Sequence, residues 1–255
     1  MFIIMNLIQG DCLEKLKELE NNSVDLLFCD LPYGQTNCNW DCKIDLVKFW
    51  EEINRVCKIT TPMFFTCTTK FGNTLINSNP KNFRYDLIWK KSKASGFLLA
   101  GKMPIKKHEL IYVFYRKLPY YDISSHKHKY LKKELEIKPK KENLDYTTVD
   151  SVYGLDIATE YKKLNKITKA QGAYYDPPLP NSILEIASER GKHPTQKPVE
   201  LIEWILKYYS KEGDVVLDPT MGSGSTGVAC KNLKRNFIGI ELDEKYYNIA
   251  VSRVC

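Results

Sequence analysis

The sequence predicts an α/β protein in which helices cover both faces of a mostly parallel sheet. Short buried strands alternate with helices near both ends of the chain, and parallel strands need such helical crossovers. The 255 residues, 43% hydrophobic and 27% charged, have an ordinary globular composition. No apolar run reaches the ~18 residues of a membrane-spanning helix. The first residues lack the basic segment of a signal peptide, which predicts an intracellular, cytoplasmic location.

The N-terminal part is predicted to begin as strand, helix, strand. An apolar, β-rich run covers 2–8, and leucines recur at helical spacing over 13–19. A buried strand over 24–29 ends at the turn-forming sequence Asp30-Leu31-Pro32-Tyr33-Gly34. The regular elements expected next are a helix over 44–58 and strands over 62–67, 85–90 and 109–116.

The pattern is lost over about 117–192, which is rich in Lys, Tyr and Pro and is too long for a plain loop. We interpret it as an inserted, variable segment. Regular elements return with a helix over 198–210, a strand over 214–217, a glycine turn over 222–224, a helix to about 233, a strand over 237–240 and a final helix over 243–252.

The positive charge is concentrated in one part of the chain. The net charge is +7. Residues 1–60 carry six Lys and Arg against ten Asp and Glu, whereas residues 81–107 carry eight against the single acid Asp86. This basic block predicts a surface that faces a polyanion, and a solvated lysine-rich loop is the alternative.

The cysteines do not indicate a metal site. None of the eight forms a CxxC pair, and without a secretory signal a reducing compartment is expected. We therefore predict no metal. The absence of a GxxxxGK(S/T) sequence also argues against a nucleoside-triphosphate loop.

A strand, a glycine turn and a helix start follow one another over 215–226. Gly222 and Gly224 let the backbone approach a ligand, and the helix N-terminus favours a negative group. The following strand ends at Glu241, where an acid can accept both hydroxyl protons of a ribose. Together they predict a nucleoside-type cofactor.

Three sequence motifs resemble those of one enzyme family. Asp30-Leu31-Pro32-Tyr33 resembles the catalytic (D/N/S)PP(Y/F/W) motif of the S-adenosylmethionine-dependent amino-methyltransferases, and 218–224 resembles their cofactor loop. His193-Pro194-Thr195-Gln196-Lys197-Pro198 resembles the box that precedes that loop. Their order is that of the β-class DNA amino-methyltransferases.

The resemblance implies a Rossmann-like methyltransferase sheet in circularly permuted order, with an inserted target-recognition segment. The catalytic domain would comprise 1–116 and 190–255, and 117–189 would recognise the target. The cofactor would be S-adenosyl-L-methionine. Glu241 would hold its ribose and Asp11 its adenine, although Asp11 could instead be a helix N-cap. The methionine part would contact Thr195, Lys197, Asp218, Gly222, Ser223 and Gly224.

The catalytic turn suits transfer to an exocyclic amine. Asp30 and the Pro32 carbonyl can accept the amine protons as positive charge develops, and Tyr33 can stack on a base rotated out of the duplex. Leu31 departs from the usual proline of the motif, but this position contributes mainly backbone shape. C5-cytosine chemistry needs a Cys nucleophile, commonly after Pro, and no Pro-Cys occurs.

The predicted function is site-specific DNA adenine-N6 methylation, as in restriction–modification systems. Cytosine-N4 transfer, an RNA substrate and a catalytically inactive nucleic-acid-binding module are the alternatives. Adenine is preferred because the motif begins with Asp, and a homodimer is possible. The lysines expected to contact double-stranded DNA are Lys90, Lys91, Lys93, Lys102, Lys106 and Lys107.

Overall fold

The computed structural model of the chain describes residues 3–32, 44–130, 173–189 and 196–255. Two compact units are present: the larger comprises Met1–Asp122 with Asn181–Cys255, and the smaller is Ile123–Pro180. Among the described residues, no helix is long and apolar enough to cross a membrane.

The first half of the larger unit contains most of the predicted elements. Its strands and helices are β1 (Met5–Gln9), α1 (Cys12–Leu16), β2 (Leu26–Cys29), α2 (Leu46–Val56), β3 (Met63–Cys67), α3 (Thr69–Ser78), β4 (Phe83–Ser95), a 3-10 helix (Phe97–Leu99) and β5 (Lys106–Phe114).

The second half continues the alternation. Its elements are β8 (Ile183–Glu185), α4 (Val199–Tyr209), β9 (Val215–Asp218), α5 (Ser225–Asn232), β10 (Asn236–Glu241) and α6 (Glu244–Val254). The strands and helices predicted here are confirmed to within one or two residues at each end.

Three features differ from the sequence prediction. Strand β8 lies within 117–192, where no regular element was predicted. Helix α3 was not predicted, because Gly72 and two asparagines, Asn73 and Asn77, lower the helix propensity of its sequence. It begins nevertheless at an N-cap, where the Thr68 hydroxyl accepts from the Phe71 N–H. Strand β4 also extends five residues beyond the predicted end at 90, so part of the basic block is a strand.

The eight strands form one sheet in the order β1-β10-β9-β2-β3-β5-β4-β8. All pairs are parallel except those of β5, which runs antiparallel to β3 and β4. The carboxyl ends of seven strands therefore meet the amino end of β5 at one edge, here called the carboxyl edge. This arrangement confirms the predicted α/β class.

Apolar layers cover both faces of the sheet. Strand β2 is buried throughout, with Leu26 and Phe28 in one layer and Leu27 and Cys29 in the other. The first layer includes residues of α4, α5 and α6, and the second includes residues of α2 and α3. A strand apolar on both faces is typical of a doubly covered parallel sheet.

The smaller unit contains an antiparallel pair, β6 (Lys127–Tyr130) and β7 (Ala173–Asp176). The buried His126 contacts the Pro177 carbonyl oxygen through Nδ1 at 2.9 Å. Most of the segment predicted to recognise the target, 117–189, lies outside the described residues, and its role remains a prediction.

Candidate active site

A cavity of about 820 Å³ opens along the carboxyl edge and contains most of the predicted site residues. One part, the cofactor half, is formed where β1, β9 and β10 end. The other part, the target half, is formed by the ends of β3, β4, β5 and the segment after β8. Asp30, directly after β2, belongs to the target half and lies where the two halves meet. The predicted residues that line the cavity are Asp11, Asp30, Pro32, Lys91, Lys93, Lys106, Lys197, Asp218, Gly222, Ser223 and Glu241.

Asp30 accepts a strong hydrogen bond at each carboxylate oxygen. The Thr66 hydroxyl donates to Oδ1 at 2.5 Å, and the Lys197 ammonium donates to Oδ2 at 2.5 Å. Thr66 belongs to β3, the parallel neighbour of β2, while Lys197 precedes α4. Because donors on two separate segments hold the carboxylate, its orientation is fixed by the fold.

Lys197 connects Asp30 to a second ion pair. Its ammonium lies 3.7 Å from the Glu109 carboxylate, which also pairs with Lys91 at 2.9 Å. The Lys197 side chain is only 9% exposed. Burial by itself lowers the pKa of Lys197, but Asp30 and Glu109 outweigh it, so the pKa lies above its ordinary value. Lys197 therefore stays charged and balances two carboxylates.

Asp218 is held by neutral donors. The Thr226 hydroxyl donates to its Oδ2 at 2.5 Å and the Thr220 N–H to its Oδ1 at 3.2 Å. Burial raises the pKa of Asp218 to about 7, although these hydrogen bonds oppose the shift. The carboxyl group therefore exchanges its proton close to neutral pH.

Glu241 closes the glycine loop. Its carboxylate accepts the Gly222 N–H at 2.8 Å and the Asp243 N–H at 2.9 Å. Burial raises the pKa of Glu241 despite these two donors. Gly222 has φ +52°, and a Cβ there would point into open space, so the loop faces the cavity without a side chain.

Gly224 has a packing role beside the cofactor contact that the sequence resemblance implies. It is absent from the described cavity lining and precedes α5 with φ +80°. A Cβ at Gly224 would lie 3.0 Å from the Ala250 Cβ. This glycine therefore permits close packing of α5 on α6 behind the loop.

The cofactor half fits a nucleoside ligand. Ser225 is among the residues that line the cavity, and its hydroxyl is buried without a hydrogen-bond partner among the described residues. An orphaned hydroxyl of this kind is commonly satisfied by a ligand or by water. With the Glu241 carboxylate and the open Gly222 backbone, it supplies the polar groups that a ribose and an amino-acid chain require.

The remaining predicted residues have varied positions. Asp11 is confirmed as a helix N-cap, since its Oδ1 accepts the Leu13 N–H at 2.9 Å, and it also lines the cavity. Ser223 donates to the Gln196 side chain at 3.2 Å. Tyr33 and Thr195 lie outside the described residues.

Further polar residues of the site escaped the sequence analysis, among them Thr66, Glu109, Thr220, Ser225 and Thr226. Thr220 and Thr226 follow Asp218 closely in the sequence. Threonines shortly after an acid at a strand end could therefore have been predicted as its hydrogen-bond donors. Thr66 and Glu109 are on β3 and β5. Only the strand order, which is not evident from local sequence, brings them to Asp30.

The six predicted DNA-binding lysines fall into two groups. Lys90 pairs with Glu185 at 2.8 Å and Lys91 pairs with Glu109. Across the described part of the chain, the other four form no ion pair; they are Lys93, Lys102, Lys106 and Lys107.

The fold and cavity define an α/β enzyme with a nucleoside-cofactor half joined to a carboxylate-bearing target half. A sequence model of the N6/N4 methyltransferase family, described as DNA methylase, matches residues 24–252. The chain belongs to this family. Membership confirms the predicted class of DNA amino-methyltransferase and its methyl donor, S-adenosyl-L-methionine.

Named relatives agree with this assignment. The chain is 29% identical to the type II methyltransferase M.HinfI of Haemophilus influenzae over 278 residues, covering 97% of this chain and 67% of the relative. A shorter region of 64 residues is 55% identical to M2.DpnII of Streptococcus pneumoniae, covering 25% of this chain and 24% of the relative.

Solved structures show the same fold. The M1.HpyAVI–SAM complex superposes with a TM-score of 0.62 at 23% identity, covering 98% of this chain and all of that one. The PvuII cytosine-N4-specific DNA methyltransferase gives a TM-score of 0.65 at 16% identity, covering 99% and 86%. These likenesses confirm the predicted methyltransferase fold.

Proposed function

We propose that this chain is a site-specific adenine-N6 methyltransferase of double-stranded DNA. One observation carries the proposal: Asp30, held between Thr66 and Lys197, lines the same cavity as Gly222 and Glu241. An acceptor for an amine and a site suited to a nucleoside cofactor therefore share one space, as direct transfer to an exocyclic amine requires.

S-Adenosyl-L-methionine supplies a methyl group activated by its sulfonium. In the cofactor half, Glu241 would hold the ribose and Asp218, Gly222 and Ser223 would contact the methionine part. Asp11 would lie near the adenine. From the predictions outside the described residues, Thr195 would close the methionine end. The carboxylates of this half suit hydroxyl and ammonium donors on the ligand.

The target half would activate the amine. The nitrogen lone pair of an adenine amine is delocalised into the ring, so acceptors directed at its protons favour attack and disperse the developing charge. Asp30 and the Pro32 carbonyl would be those acceptors. Tyr33 would stack on the base once it has left the duplex.

The geometry adds a positioning role for Thr66 and Lys197. Both donate to Asp30, so they hold the carboxylate in place at the cavity wall. Lys197 was predicted to approach the cofactor's methionine end; its observed contacts with Asp30 and Glu109 support a role on the target side instead.

Adenine is proposed over cytosine because the motif begins with Asp. Duplex DNA is proposed because lysines that form no ion pair with the described residues border the target half. Since M.HinfI, M.HpaI and M2.DpnII are named type II methyltransferases, we also propose that the chain is the modification enzyme of a restriction–modification system.

The test is incubation with tritiated S-adenosyl-L-methionine and duplex DNA, single-stranded DNA or RNA, followed by digestion to nucleosides. We expect label in N6-methyladenine from duplex DNA, at one sequence context. Label in N4-methylcytosine would replace adenine with cytosine, label only in RNA would change the substrate, and no label with intact cofactor binding would indicate an inactive binding module.

A further inference from the structure

We propose that the tip of the β4–β5 hairpin, residues 96–105, is an apolar wedge that enters duplex DNA beside the target base. It would occupy the space that the base leaves when it rotates into the cavity. This inference rests on the proposed function and assigns the hairpin tip a part in base flipping.

The tip exposes large apolar side chains that the fold does not use. Leu98 is 101% exposed and Phe97 67%. Met103 and Ile105, on the other side of the tip, are 56% and 41% exposed. Folded proteins rarely leave several large apolar residues together in water without a partner. Four exposed large apolar residues within the ten residues of this turn therefore indicate a surface that becomes buried on binding.

The tip continues directly from the target half of the cavity. Ser95 of β4 pairs with Lys106 of β5 at the last rung of the ladder, and both residues line the cavity together with Lys93 and Asp30. Residues 96–105 connect these two cavity-lining positions. Whatever the tip contacts is therefore adjacent to the entrance through which a target base reaches Asp30.

The charge around the tip selects a polyanion as the partner. No acidic residue occurs between Asp86 and Glu109. Within the part of the chain that the structure describes, Lys93, Lys102, Lys106 and Lys107 form no ion pair. A symmetric contact between the tips of two copies of this chain would juxtapose like charges, whereas DNA phosphates complement them.

Some DNA-binding proteins insert apolar side chains, flanked by cationic residues, between the bases of the duplex. Phe, Leu, Ile and Met serve as wedges in proteins that unstack base steps, while adjacent cations hold the phosphates. A base that leaves the stack loses its stacking and pairing energy, and less is lost when the base is already unpaired. A wedge therefore matters most when the target base is paired.

The experiment compares the double variant Phe97→Ala/Leu98→Ala with wild type and with Leu118→Ala. Leu118 is also exposed, at 81%, and does not line the cavity. The substrates are a duplex containing the methylated context found for wild type, and the same duplex with an abasic site opposite the target base. We expect the double variant to lose at least about tenfold in kcat/KM on the paired duplex and less than about threefold on the abasic one.

A second readout is the fluorescence of 2-aminopurine placed at the target position, which rises when the base leaves the stack. We expect wild type and Leu118→Ala to raise it and the double variant to raise it much less. Equal losses on both duplexes, or no loss on either, would overturn the wedge. A change of sedimentation from dimer to monomer with unchanged methylation would assign the tip to self-association instead.

The experiment distinguishes failure of the proposed function from failure of the wedge. If wild type transfers no methyl group to either duplex, the proposed function fails and the wedge with it, before any variant is measured. If wild type is active and the double variant matches it on the paired duplex, only the wedge fails.

Discussion

The two halves of the cavity hold their carboxylates in opposite ways. In the cofactor half, Asp218 and Glu241 accept hydrogen bonds from neutral groups, the hydroxyl of Thr226 and backbone N–H groups. In the target half, Asp30 and Glu109 are held by ammonium groups of Lys197 and Lys91. Among the described residues, the carboxylates of the cofactor half thus have no cationic partner, whereas those of the target half have one.

This difference follows from what each half has to receive. A cofactor that carries an ammonium group and ribose hydroxyls provides its own positive charge and donors, so carboxylates there need no resident cation. A neutral base provides only weak donors. Asp30 therefore needs donors from the protein to orient it before the base arrives, and the buried ammonium of Lys197 is one of them, at a cost in desolvation.

The largest effect expected is that of Asp30→Ala. Removal of the acceptor should lower kcat by about 10²–10³-fold, because stabilisation of the developing charge is lost in the transition state. The Kd for S-adenosyl-L-methionine should stay within about threefold of wild type. Single-turnover methylation and isothermal titration calorimetry measure the two quantities. Full activity of the variant would remove Asp30 from the mechanism.

Lys197→Met tests which half contains Lys197. The variant leaves a part-buried carboxylate without its cation, so we expect a loss of about 2–4 kcal/mol in the free energy of unfolding, less than for a fully buried pair because Asp30 is 24% exposed. Urea denaturation measures it. If Lys197 serves the target half, kcat falls while the cofactor Kd changes little.

Two control variants distinguish a positioning role of Lys197 in methyl transfer from a role in stability alone. Lys197→Arg should recover most of the stability and activity, since the charge is retained. Adding Asp30→Asn to Lys197→Met should restore stability without restoring transfer, because the uncompensated charge is then gone. A large increase in cofactor Kd for Lys197→Met would return Lys197 to the cofactor half.

The pH dependence of cofactor binding should reveal the neutral surroundings of Asp218. Its pKa is about 7, and a ligand cation favours the ionised carboxylate. Affinity for S-adenosyl-L-methionine should therefore rise with pH through this range, by up to about tenfold per pH unit below the pKa. In Asp218→Asn this rise should disappear. Calorimetric titrations of wild type and variant from about pH 5.5 to 8.5, a range that brackets this pKa, test both expectations. If the affinity of the variant still rises with pH as steeply as that of wild type, the titrating group is not Asp218.

The cofactor half could be predicted largely from the sequence and the target half could not. Gly222 and Glu241 are adjacent to recognisable strand ends, so a local pattern of strand, glycine turn and helix indicates them. Asp30 is similar, since it ends a strand that is apolar on both faces. These residues are defined by the segment that contains them.

The partners of Asp30 depend on the order of strands. Thr66 is on β3 and Glu109 on β5, and β5 lies beside β3 only because β4 and β5 form an antiparallel hairpin at the far side of the sheet. Lys197 was identified from its sequence box, but its two carboxylate partners were not. Ion pairs between segments that are distant along the chain leave no periodic or local signal.

The smallest effect expected concerns the lysines that border the target half. Each of Lys93, Lys102, Lys106 and Lys107, changed to Ala, should weaken DNA binding a few-fold and lower the slope of log Kd against log salt by about 0.9 for each phosphate that is no longer neutralised.

Lys90→Ala is the matched control, since Lys90 already pairs with Glu185. It should change the slope less, because a cation that has a carboxylate partner releases fewer counterions on meeting a phosphate. Fluorescence anisotropy between about 50 and 200 mM salt measures the slopes. Equal slopes for the Lys90 and Lys102 variants would mean that DNA displaces Glu185, and the division of these lysines into paired and available groups would be wrong.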